Sequence, residues 1–487
     1  MSEGRRVLVI YTGGTIGMKR GPRGYVPVPG LLGEMLERMP QFHAAGSPRF
    51  TTPPFQFGRP VRYDVREHAV LLDSSNMGVE HWVAIAREIE ESYADYDAFV
   101  VLHGTDTMAY TASALSFMLG GLGKTVVLTG SQIPLVENRN DALDNLLGAL
   151  TIAGHFVIPE VGLYFHHKLM RGNRTRKMDA SGLDAFQSSN LPPLARVSVG
   201  VDVEWHLVRR PPRTPLRVKP ITERNVACLR IFPGVTGDIL QNFLRPPLRG
   251  VVIETYGTGN MPDTRPDLLA ALREAHDRGV VIVNCTQCAR GAVTGEYAAG
   301  RALADTGVVG GADLTPEAAL TKLAWLLSDP ARGQAEVERL MATDLRGEMT
   351  LPPAEPRFDL RDSRFVREVA AALGPGEKQR DFERRIGDAL FPVVMCAAAN
   401  LGDVATVRRL IDDGGAVDAA DYEGRTPLHV AAAAGHVEVC RLLLAEGASP
   451  AAVDRHGRTP QQEAAAFGHG AVVALLATHQ SPGGIEP

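Results

Sequence analysis

The sequence predicts an α/β protein of two domains, followed by a smaller all-helical repeat region. Short apolar runs alternate with helical patterns up to about residue 205, and the alternation resumes between about residues 223 and 350. After residue 390 a regular repeat replaces it. Such alternation is typical of a largely parallel sheet covered by helices. The chain of 487 residues also exceeds the usual ~100–200 residues of one domain, so several domains are expected.

The first domain is predicted to span residues 1–205, with helices between its strands. Each predicted strand is an apolar run of five or six residues, and helical patterns fit between the strands. The predicted strands are 7–11, 98–103, 125–129 and 161–165, and the predicted helices are 80–92, 107–119 and 140–153. This order predicts a parallel sheet.

A proline-rich segment separates the two α/β domains. Residues 209–215 read Arg-Arg-Pro-Pro-Arg-Thr-Pro, and proline lacks an amide donor and fixes φ. The segment therefore cannot lie inside a helix or a central strand, and we predict a linker over residues 206–222. The second domain then covers residues 223–351, with strands at 250–254 and 280–284.

The C-terminal region contains an internal repeat. Gly402, Gly435 and Gly468 recur every 33 residues, and Thr-Pro-Leu-His at 426–429 has a counterpart that begins at Thr459. This period and tetrapeptide are typical of ankyrin repeats, whose helix pairs bury their apolar faces against neighbouring pairs. Such repeats are expected to bind a protein partner. The predicted boundaries are a linker at 352–387, repeats at 388–480 and a tail at 481–487.

Composition narrows the class of protein. The formal net charge of -5 gives no basic surface for nucleic acid. The five cysteines are an odd number spread over half the chain, which indicates a reducing compartment and not a disulfide framework. The N-terminal apolar run is too short for a signal peptide, and no run approaches the ~20 residues of a membrane span. We therefore expect a cytoplasmic protein.

Two predicted strands end in glycine-rich loops that carry a threonine. The first strand leads into Thr-Gly-Gly-Thr-Ile-Gly at 12–17, and the strand at 98–103 leads into Gly-Thr-Asp-Thr at 104–107. Ligands of open α/β sheets bind at the carboxyl edge, so both hydroxyls are expected there. The first loop lacks the Gly-x-Gly-x-x-Gly spacing of a dinucleotide site.

A threonine hydroxyl needs a base before it can act as a nucleophile. The stretch Arg-Gly-Asn-Arg-Thr-Arg-Lys at 171–177 can supply a lysine, which a carboxylate can orient, although a charged run usually faces solvent. The structural alternative for Thr105 and Asp106 is that they cap the helix that follows. Two threonine loops at one sheet edge favour a nucleophilic site.

Other candidate motifs are weaker. Cys285-x-x-Cys288 has no second cysteine pair, and His166-His167 has no partner at the spacing of a metal site. Packing in the interior or a position at a strand end explains these residues better. No metal and no cofactor are expected.

Four separated motifs resemble the type I, or cytoplasmic, L-asparaginases. They occur in the family's order over roughly residues 5–350, and they are specific in combination. With the ankyrin repeats, the whole chain is similar to animal-type asparaginases, some of which also carry a lysophospholipase label. The motifs are Thr-Gly-Gly-Thr-Ile-Gly at 12–17, Leu-Asp-Ser-Ser at 72–75, His-Gly-Thr-Asp-Thr-Met at 103–108 and Arg-Gly-Asn-Arg at 171–174.

The resemblance implies an amidohydrolase that forms a covalent intermediate on threonine. By motif, Thr15 is the nucleophile and Tyr25, on a mobile hairpin after the first strand, assists it. Thr105, Asp106 and Lys177 form a second catalytic group. The sequence leaves open which threonine attacks first.

The resemblance also implies how the substrate, asparagine, is held. Asp73 and Asp106 bind its α-ammonium group, and Ser74 binds its α-carboxylate. Carboxylates suit an ammonium group, and a hydroxyl donor suits a carboxylate. Asn260 reaches the active site of a neighbouring subunit, which implies a homodimer or homotetramer. The preference for asparagine over glutamine is left open, because one methylene contributes only ~1–3 kcal/mol of discrimination.

Two other functions fit the sequence less well. A lysophospholipase or esterase normally contains Gly-x-Ser-x-Gly, and this pentapeptide does not occur. A binding scaffold with an inactive α/β part is disfavoured because the hydroxyls, carboxylates and lysine that the chemistry needs are all present.

The sequence departs from allosteric members of the resembled family at two positions. Their effector asparagine is held by an arginine just before Tyr-x-x-Gly-Asn and by a threonine before the lysine. The residues here are Glu254 and Arg176. A glutamate repels a carboxylate and offers it no donor, so allostery is predicted to be absent. The alternative is a rearranged site in which Arg176 supplies the positive charge from the other side, but simple loss of the site is favoured.

Overall fold

The computed structural model describes residues 5–22, 24–54, 59–212, 214–294, 298–350, 379–412, 415–421 and 423–479. The chain divides into two units, Met1–Pro352 and Pro353–Pro487. The first unit contains both α/β regions, and the second contains the repeats. Most of the predicted linker at 352–387 and the predicted tail at 481–487 lie outside the described residues.

One eight-stranded sheet organises the first α/β region, in the order β13-β12-β9-β8-β7-β5-β1-β4. Neighbours from β4 to β8 are parallel, whereas β9, β12 and β13 extend the sheet in antiparallel fashion. The strands are β1 Arg6–Gly13, β2 Met18–Gly21, β3 Gly24–Pro27, β4 Arg62–Leu72, β5 Ala98–Leu102, β6 Leu119–Gly120, β7 Thr125–Thr129, β8 Val161–Phe165, β9 Lys168–Arg171, β10 Arg176–Lys177, β11 Phe186–Gln187, β12 Ala195–Val197, β13 Val201–Val203 and β14 Arg217–Val218. The helices are α1 Leu31–Arg38, α2 Val79–Glu91, α3 Met108–Met118 and α4 Ala142–His155.

The strands and helices predicted for this region are present, with bounds that shift by at most two residues. The sequence did not predict β4, which pairs with β1 at the edge of the sheet. Its residues Arg-Tyr-Asp-Val-Arg-Glu-His mix polar with apolar side chains because much of this edge strand is exposed. A search for continuous apolar runs therefore does not detect an edge strand of this kind.

A smaller parallel sheet forms the second α/β region, in the order β15-β16-β17-β18. The predicted linker at 206–222 contains the short strand β14, which pairs with β6. The elements are β15 Val226–Arg230, β16 Gly250–Thr255, β17 Val281–Thr286, β18 Val309–Gly310, α5 Gly237–Phe243, α6 Pro266–Asp277, α7 Ala298–Ala304, α8 Pro316–Leu327 and α9 Gln334–Met341. Both predicted strands are present, at β16 and β17.

Helix α3 is buried on nearly every side because it lies between the large sheet and α8. One apolar core contains Leu8 and Ile10 of β1 together with side chains of α3 and α8, while Val7 and Val9 face a second core. A buried position on all faces explains the Ala/Ser-rich, non-amphipathic sequence of α3. Among the described residues, no helix has the length and hydropathy needed to cross a membrane.

The strand order fixes where a ligand can bind. In the parallel part the strands lie in the chain order second, first, third, fourth and fifth, so the direction of connection reverses between β1 and β5. In sheets of this kind, ligands bind outside the carboxyl ends of the strands at this switch point. The threonine loops after β1 and β5 flank it.

The repeat unit consists of helix pairs, and its first helix begins at Gln379, within the segment predicted as a linker. Thr426 caps one helix by accepting the amide of His429, whose ring bonds back to the amide of Thr426. Thr459 and Gln462 form the same box one period later. The helices are α10 Gln379–Asn400, α11 Val404–Asp412, α12 Pro427–Ala434, α13 Val437–Ala445, α14 Pro460–Ala466 and α15 Gly470–Ala477.

Candidate active site

Glycines bring the loop after β1 against the loop after β5. Gly13 and Gly14 have φ values of 121° and 84°, in the region that favours glycine. A Cβ atom on Gly14 would lie 2.4 Å from the backbone nitrogen of Gly104. No other residue fits this approach, and it places the short 3₁₀ turn Thr15–Gly17 at the switch point.

A third loop, after β4, completes the contact. A Cβ atom on Gly104 would lie 2.5 Å from Ser74 Oγ, and Thr107 Oγ1 donates to the carbonyl oxygen of Ser74 (2.7 Å). Asp73 accepts hydrogen bonds from the amide (2.9 Å) and hydroxyl (2.8 Å) of Ser75. Ser74 is buried, whereas the exposed Asp73 carboxylate remains open to a ligand.

Lys177 connects the hydroxyl and the carboxylate of the second loop. Its Nζ donates to Thr105 Oγ1 (2.9 Å) and to Asp106 Oδ1 (2.7 Å). Thr105 Oγ1 in turn donates to Gln132 Oε1 (3.0 Å). The Lys177 side chain is 19% exposed and that of Asp106 61%. The Thr105 hydroxyl therefore accepts a hydrogen bond from the amine and donates one to the amide oxygen, which fixes its orientation.

Buried ion pairs hold the segment that carries Lys177. Arg171 forms a two-pronged pair with Glu160 (2.5 and 3.1 Å), and Arg174 pairs with Asp313 of the second α/β region (2.8 Å). Both arginines are buried, so this part of the charged run does not face solvent as such runs usually do. Burial of charge is tolerated because each guanidinium has a carboxylate partner.

Tyr25 and Thr15 have different surroundings. Tyr25 lies on the hairpin of β2 and β3, is 44% exposed, and donates its hydroxyl to Glu137 Oε1 (2.7 Å). That hydrogen bond raises the pKa of the Tyr25 phenol. Thr15 is half-buried, and within the described residues no hydrogen bond of its hydroxyl is recorded. The Thr15 hydroxyl is thus available to a ligand.

Among the described residues, no recorded hydrogen bond joins Asn260 to the other predicted site residues. Asn260 lies on a tight turn after β16, bridged to Tyr256, and its Nδ2 is 3.5 Å from Thr258 Oγ1. Its Oδ1 is buried, with no hydrogen-bond partner among the described residues. The sequence expectation that Asn260 serves a neighbouring subunit remains a prediction.

His103 has a role in the site that its sequence motif does not reveal. Its Nδ1 donates to the carbonyl oxygen of Gly104 (2.7 Å), and its Nε2 accepts from Thr111 Oγ1 (2.8 Å). Complete burial lowers the pKa of His103 to about 4, so the ring is neutral. This neutral ring ties the loop that carries Thr105 to helix α3.

Gln132 was also missed. It follows β7 in a loop without a recognisable motif, and Asp141 fixes this loop by accepting the amides of Gln132 and Ile133 (both 3.0 Å). The Gln132 side chain donates to the carbonyl oxygen of Gly182 (3.1 Å), which orients its Oε1 toward Thr105. The sequence signal that could have indicated Gln132 is its position as a polar residue shortly after a parallel strand, at the edge where ligands bind.

The weaker motifs behave as structural residues. Cys285 is buried and Cys288 is exposed, and burial raises the pKa of the Cys285 thiol. His166 and His167 form the turn between β8 and β9 and have positive φ values. Among the described residues, no group of three or more His, Cys, Asp or Glu side chains is arranged to hold a metal ion.

The two positions that depart from the allosteric pattern are both paired. Glu254 forms an ion pair with Arg230 (2.8 Å), and Cys228 Sγ lies 3.5 Å from its other oxygen. Arg176 pairs with Glu317 (3.2 Å). The guanidinium groups of Arg230 and Arg176 are therefore each already paired with a carboxylate of the protein.

Sequence-family comparisons cover most of the chain. The family described as "Asparaginase, N-terminal" matches residues 6–209, and "Glutaminase/Asparaginase C-terminal domain" matches residues 225–341. "Ankyrin repeats (3 copies)" matches residues 394–486.

Individual relatives and a solved structure agree with these matches. L-asparaginase 1 of Escherichia coli (strain K12) is 48% identical over 351 residues, which are 71% of this chain and 98% of that protein. A mouse protein named "60 kDa lysophospholipase" is 46% identical over 443 residues, 89% of this chain and 77% of that protein. The crystal structure of L-asparaginase I from Vibrio cholerae O1 biovar eltor matches 72% of this chain and 100% of its own, with 43% identity and a TM-score of 0.64.

Proposed function

Because this chain belongs to the asparaginase family, we propose that it is an L-asparaginase, which hydrolyses the side-chain amide of L-asparagine to L-aspartate and ammonia. The observation that carries the proposal is the group formed by Lys177, Thr105 and Asp106, beside the glycine loop that carries Thr15. This group lies at the switch point of the large sheet, where ligands of such sheets bind.

The proposed reaction has two steps. The Thr15 hydroxyl attacks the side-chain amide carbon, its proton passes to the leaving nitrogen, and the C–N bond breaks to release ammonia. A β-aspartyl ester remains on Thr15. Water then attacks the ester carbon, one of its protons returns to Thr15 Oγ, and aspartate leaves. The net reaction consumes one water and regenerates the threonine.

Lys177 and Thr105 are proposed to move protons in this sequence. Thr105 accepts a proton from the attacking water while its own hydroxyl proton passes to Lys177 Nζ, and the same path returns a proton as Thr15 Oγ leaves the ester. Asp106 supports this role because its carboxylate lies 2.7 Å from Lys177 Nζ and stabilises the amine when it is charged. Tyr25 would assist Thr15 once substrate displaces its bond to Glu137.

Substrate binding is proposed to rest on the loop after β4. The exposed carboxylates of Asp73 and Asp106 suit the α-ammonium group of asparagine, and Ser74 offers a hydroxyl to the α-carboxylate. Asn260 would complete the site of a partner subunit, for which its unpaired Oδ1 gives support. The enzyme would then act as a homodimer or homotetramer.

Ammonia release tests this function. The full-length protein is incubated with L-asparagine, and in parallel with a lysophospholipid whose fatty-acid release is measured. The second arm is needed because the mouse and human relatives are named "60 kDa lysophospholipase". We expect ammonia and aspartate in equal amounts. Fatty acid without ammonia would refute the proposal and support the esterase alternative.

Removal of the repeat unit is expected to leave catalysis largely intact. The repeats bury their apolar faces against one another, and the described residues of the proposed site all lie in the first unit. A chain that ends at Pro352 should keep kcat and KM within about twofold of the full-length values. Circular dichroism checks that the shortened chain is folded. Loss of ammonia release from a folded shortened chain would make the repeats part of the catalytic assembly.

The rate is expected to depend hyperbolically on asparagine concentration. Glu254 would repel an effector's α-carboxylate, and Arg176 is already paired with Glu317. Without coupling between two sites, the Hill coefficient should be about one. Initial rates over a wide range of asparagine concentrations measure it. A coefficient clearly above one that Arg176→Ala abolishes would show that an effector site persists.

A further inference from the structure

A cavity outside the proposed active site is unusually rich in arginine. It measures about 90 Å³ and is lined by Arg171, Arg209, Arg210 and Arg346. Glu160 is the carboxylate of the lining. The cavity lies where helix α3 and the segments flanking β8 and β9 meet residues that follow α9.

The single carboxylate is already fully used. Glu160 forms both prongs of its pair with Arg171 (2.5 and 3.1 Å), and it also accepts the backbone amide of Arg209 (2.6 Å). Its charge therefore compensates Arg171, and its recorded side-chain hydrogen bonds do not extend to the guanidinium groups of Arg209 and Arg346.

Arg209 and Arg346 converge beside Asp344, a carboxylate whose charge acts on both and which is itself hydrogen-bonded to Glu348. The guanidinium groups of both donate to one acceptor, the carbonyl oxygen of Leu345, at 3.2 and 3.0 Å. Glu348 is close in sequence, but it is paired with Lys322 (2.6 Å) and accepts the amides of Leu345 and Arg346. Burial, and then the neighbouring Arg209, lower the pKa of Arg346, while the charges of Glu348 and Asp344 act in the opposite direction. Among the described residues, no ion pair of Arg209 or Arg346 with a carboxylate is recorded.

We propose that this cavity binds a small tetrahedral oxyanion, either free phosphate or the phosphoryl group of a metabolite, with Arg209 and Arg346 as its cationic ligands. Guanidinium groups present paired donors that match the oxygens of phosphate. Two like charges beside one cavity suit a dianion better than chloride. The volume holds a group the size of several waters and is far below the ~300 Å³ of pockets for larger organic ligands.

The proposal predicts stabilisation by phosphate. A ligand that binds only the folded state raises the unfolding temperature in a saturable way. The full-length protein is unfolded thermally in sodium phosphate and in sodium chloride of equal ionic strength. We expect a saturable increase in phosphate alone. An equal increase in chloride would overturn the proposal, since it would reflect screening of charge only.

Two variants assign the effect to the cavity. Arg346→Gln and Arg209→Gln each remove one guanidinium, and each should raise the half-saturating phosphate concentration by about tenfold or more. Arg346→Gln relieves repulsion with Arg209 but also loses the attraction of Glu348 and Asp344, so the unfolding temperature of each variant without phosphate is its own reference. Arg245→Gln removes the same charge from an exposed position elsewhere and should respond as the unaltered protein does. A normal phosphate response in both cavity variants would overturn the proposal.

A phosphate monoester distinguishes whether the ligand is free phosphate or the phosphoryl group of a metabolite. O-phosphoserine is compared with inorganic phosphate in the same titration. Half-saturation at a lower concentration of the monoester would identify the phosphoryl group of a metabolite, and the reverse order would identify free phosphate. Absence of saturable stabilisation by both would overturn the proposal.

Discussion

Replacement of Thr15 by alanine is expected to lower kcat for asparagine hydrolysis by about four orders of magnitude. The change removes the proposed nucleophile, so no ester can form on residue 15. The fold should persist because the half-buried Thr15 hydroxyl has no recorded hydrogen bond among the described residues. Steady-state kinetics and thermal unfolding of the same preparation give both quantities.

Two control variants separate chemistry from structure. Thr15→Ser keeps a hydroxyl and should retain a measurable part of the activity. Thr12→Ala removes a buried hydroxyl that donates to the carbonyl oxygen of Leu102 (2.9 Å), which should cost about 1 kcal/mol of stability with little effect on chemistry. Near-normal turnover by Thr15→Ala would rule out Thr15 as the nucleophile.

Replacement of Lys177 by methionine is expected to lower kcat by about 10²- to 10⁴-fold. Methionine has a similar length but cannot accept a proton, and it leaves Thr105 and Asp106 without their shared partner. The effect should appear in kcat more than in KM, since proton transfer belongs to the transition state. Rates at saturating and limiting asparagine separate the two constants.

Lys168→Met is the matched control. Lys168 lies on β9 of the eight-stranded sheet, nine residues before Lys177 in the sequence, and pairs with Asp184 at 2.6 Å, with a side chain 27% exposed. The Lys168→Met variant loses the same charge and a similar ion pair, but residue 168 lies outside the proposed site. If both lysine variants lose activity to the same extent, the effect of Lys177→Met is structural.

The comparisons confirm the fold class and the family resemblance that the sequence predicted. Central strands could be predicted because a strand buried on both faces is a continuous apolar run, as β5 and β7 are. Edge strand β4 could not, because its exposed positions are polar. The start of the first repeat helix, Gln379, was also missed, since its charged first turns look like a linker.

The candidate site was predictable where the backbone demands particular residues. Gly13, Gly14 and Gly104 lie at close approaches that exclude a side chain, so their loops have a recognisable sequence. Gln132 contacts Thr105 through its side chain alone, and many sequences could build that loop. Burial of Arg171 depends on Glu160, eleven residues away, a pairing that local charge patterns do not reveal.

The covalent intermediate tests the central claim most directly. The full-length protein is mixed with asparagine, quenched in acid within the first turnover, digested and analysed by mass spectrometry. We expect the added mass of one aspartyl group on the peptide that contains Thr15, and its absence in Thr15→Ala. An aspartyl group on the peptide that contains Thr105, with Thr15 unmodified, would contradict the proposed order of attack and the assignment of the nucleophile.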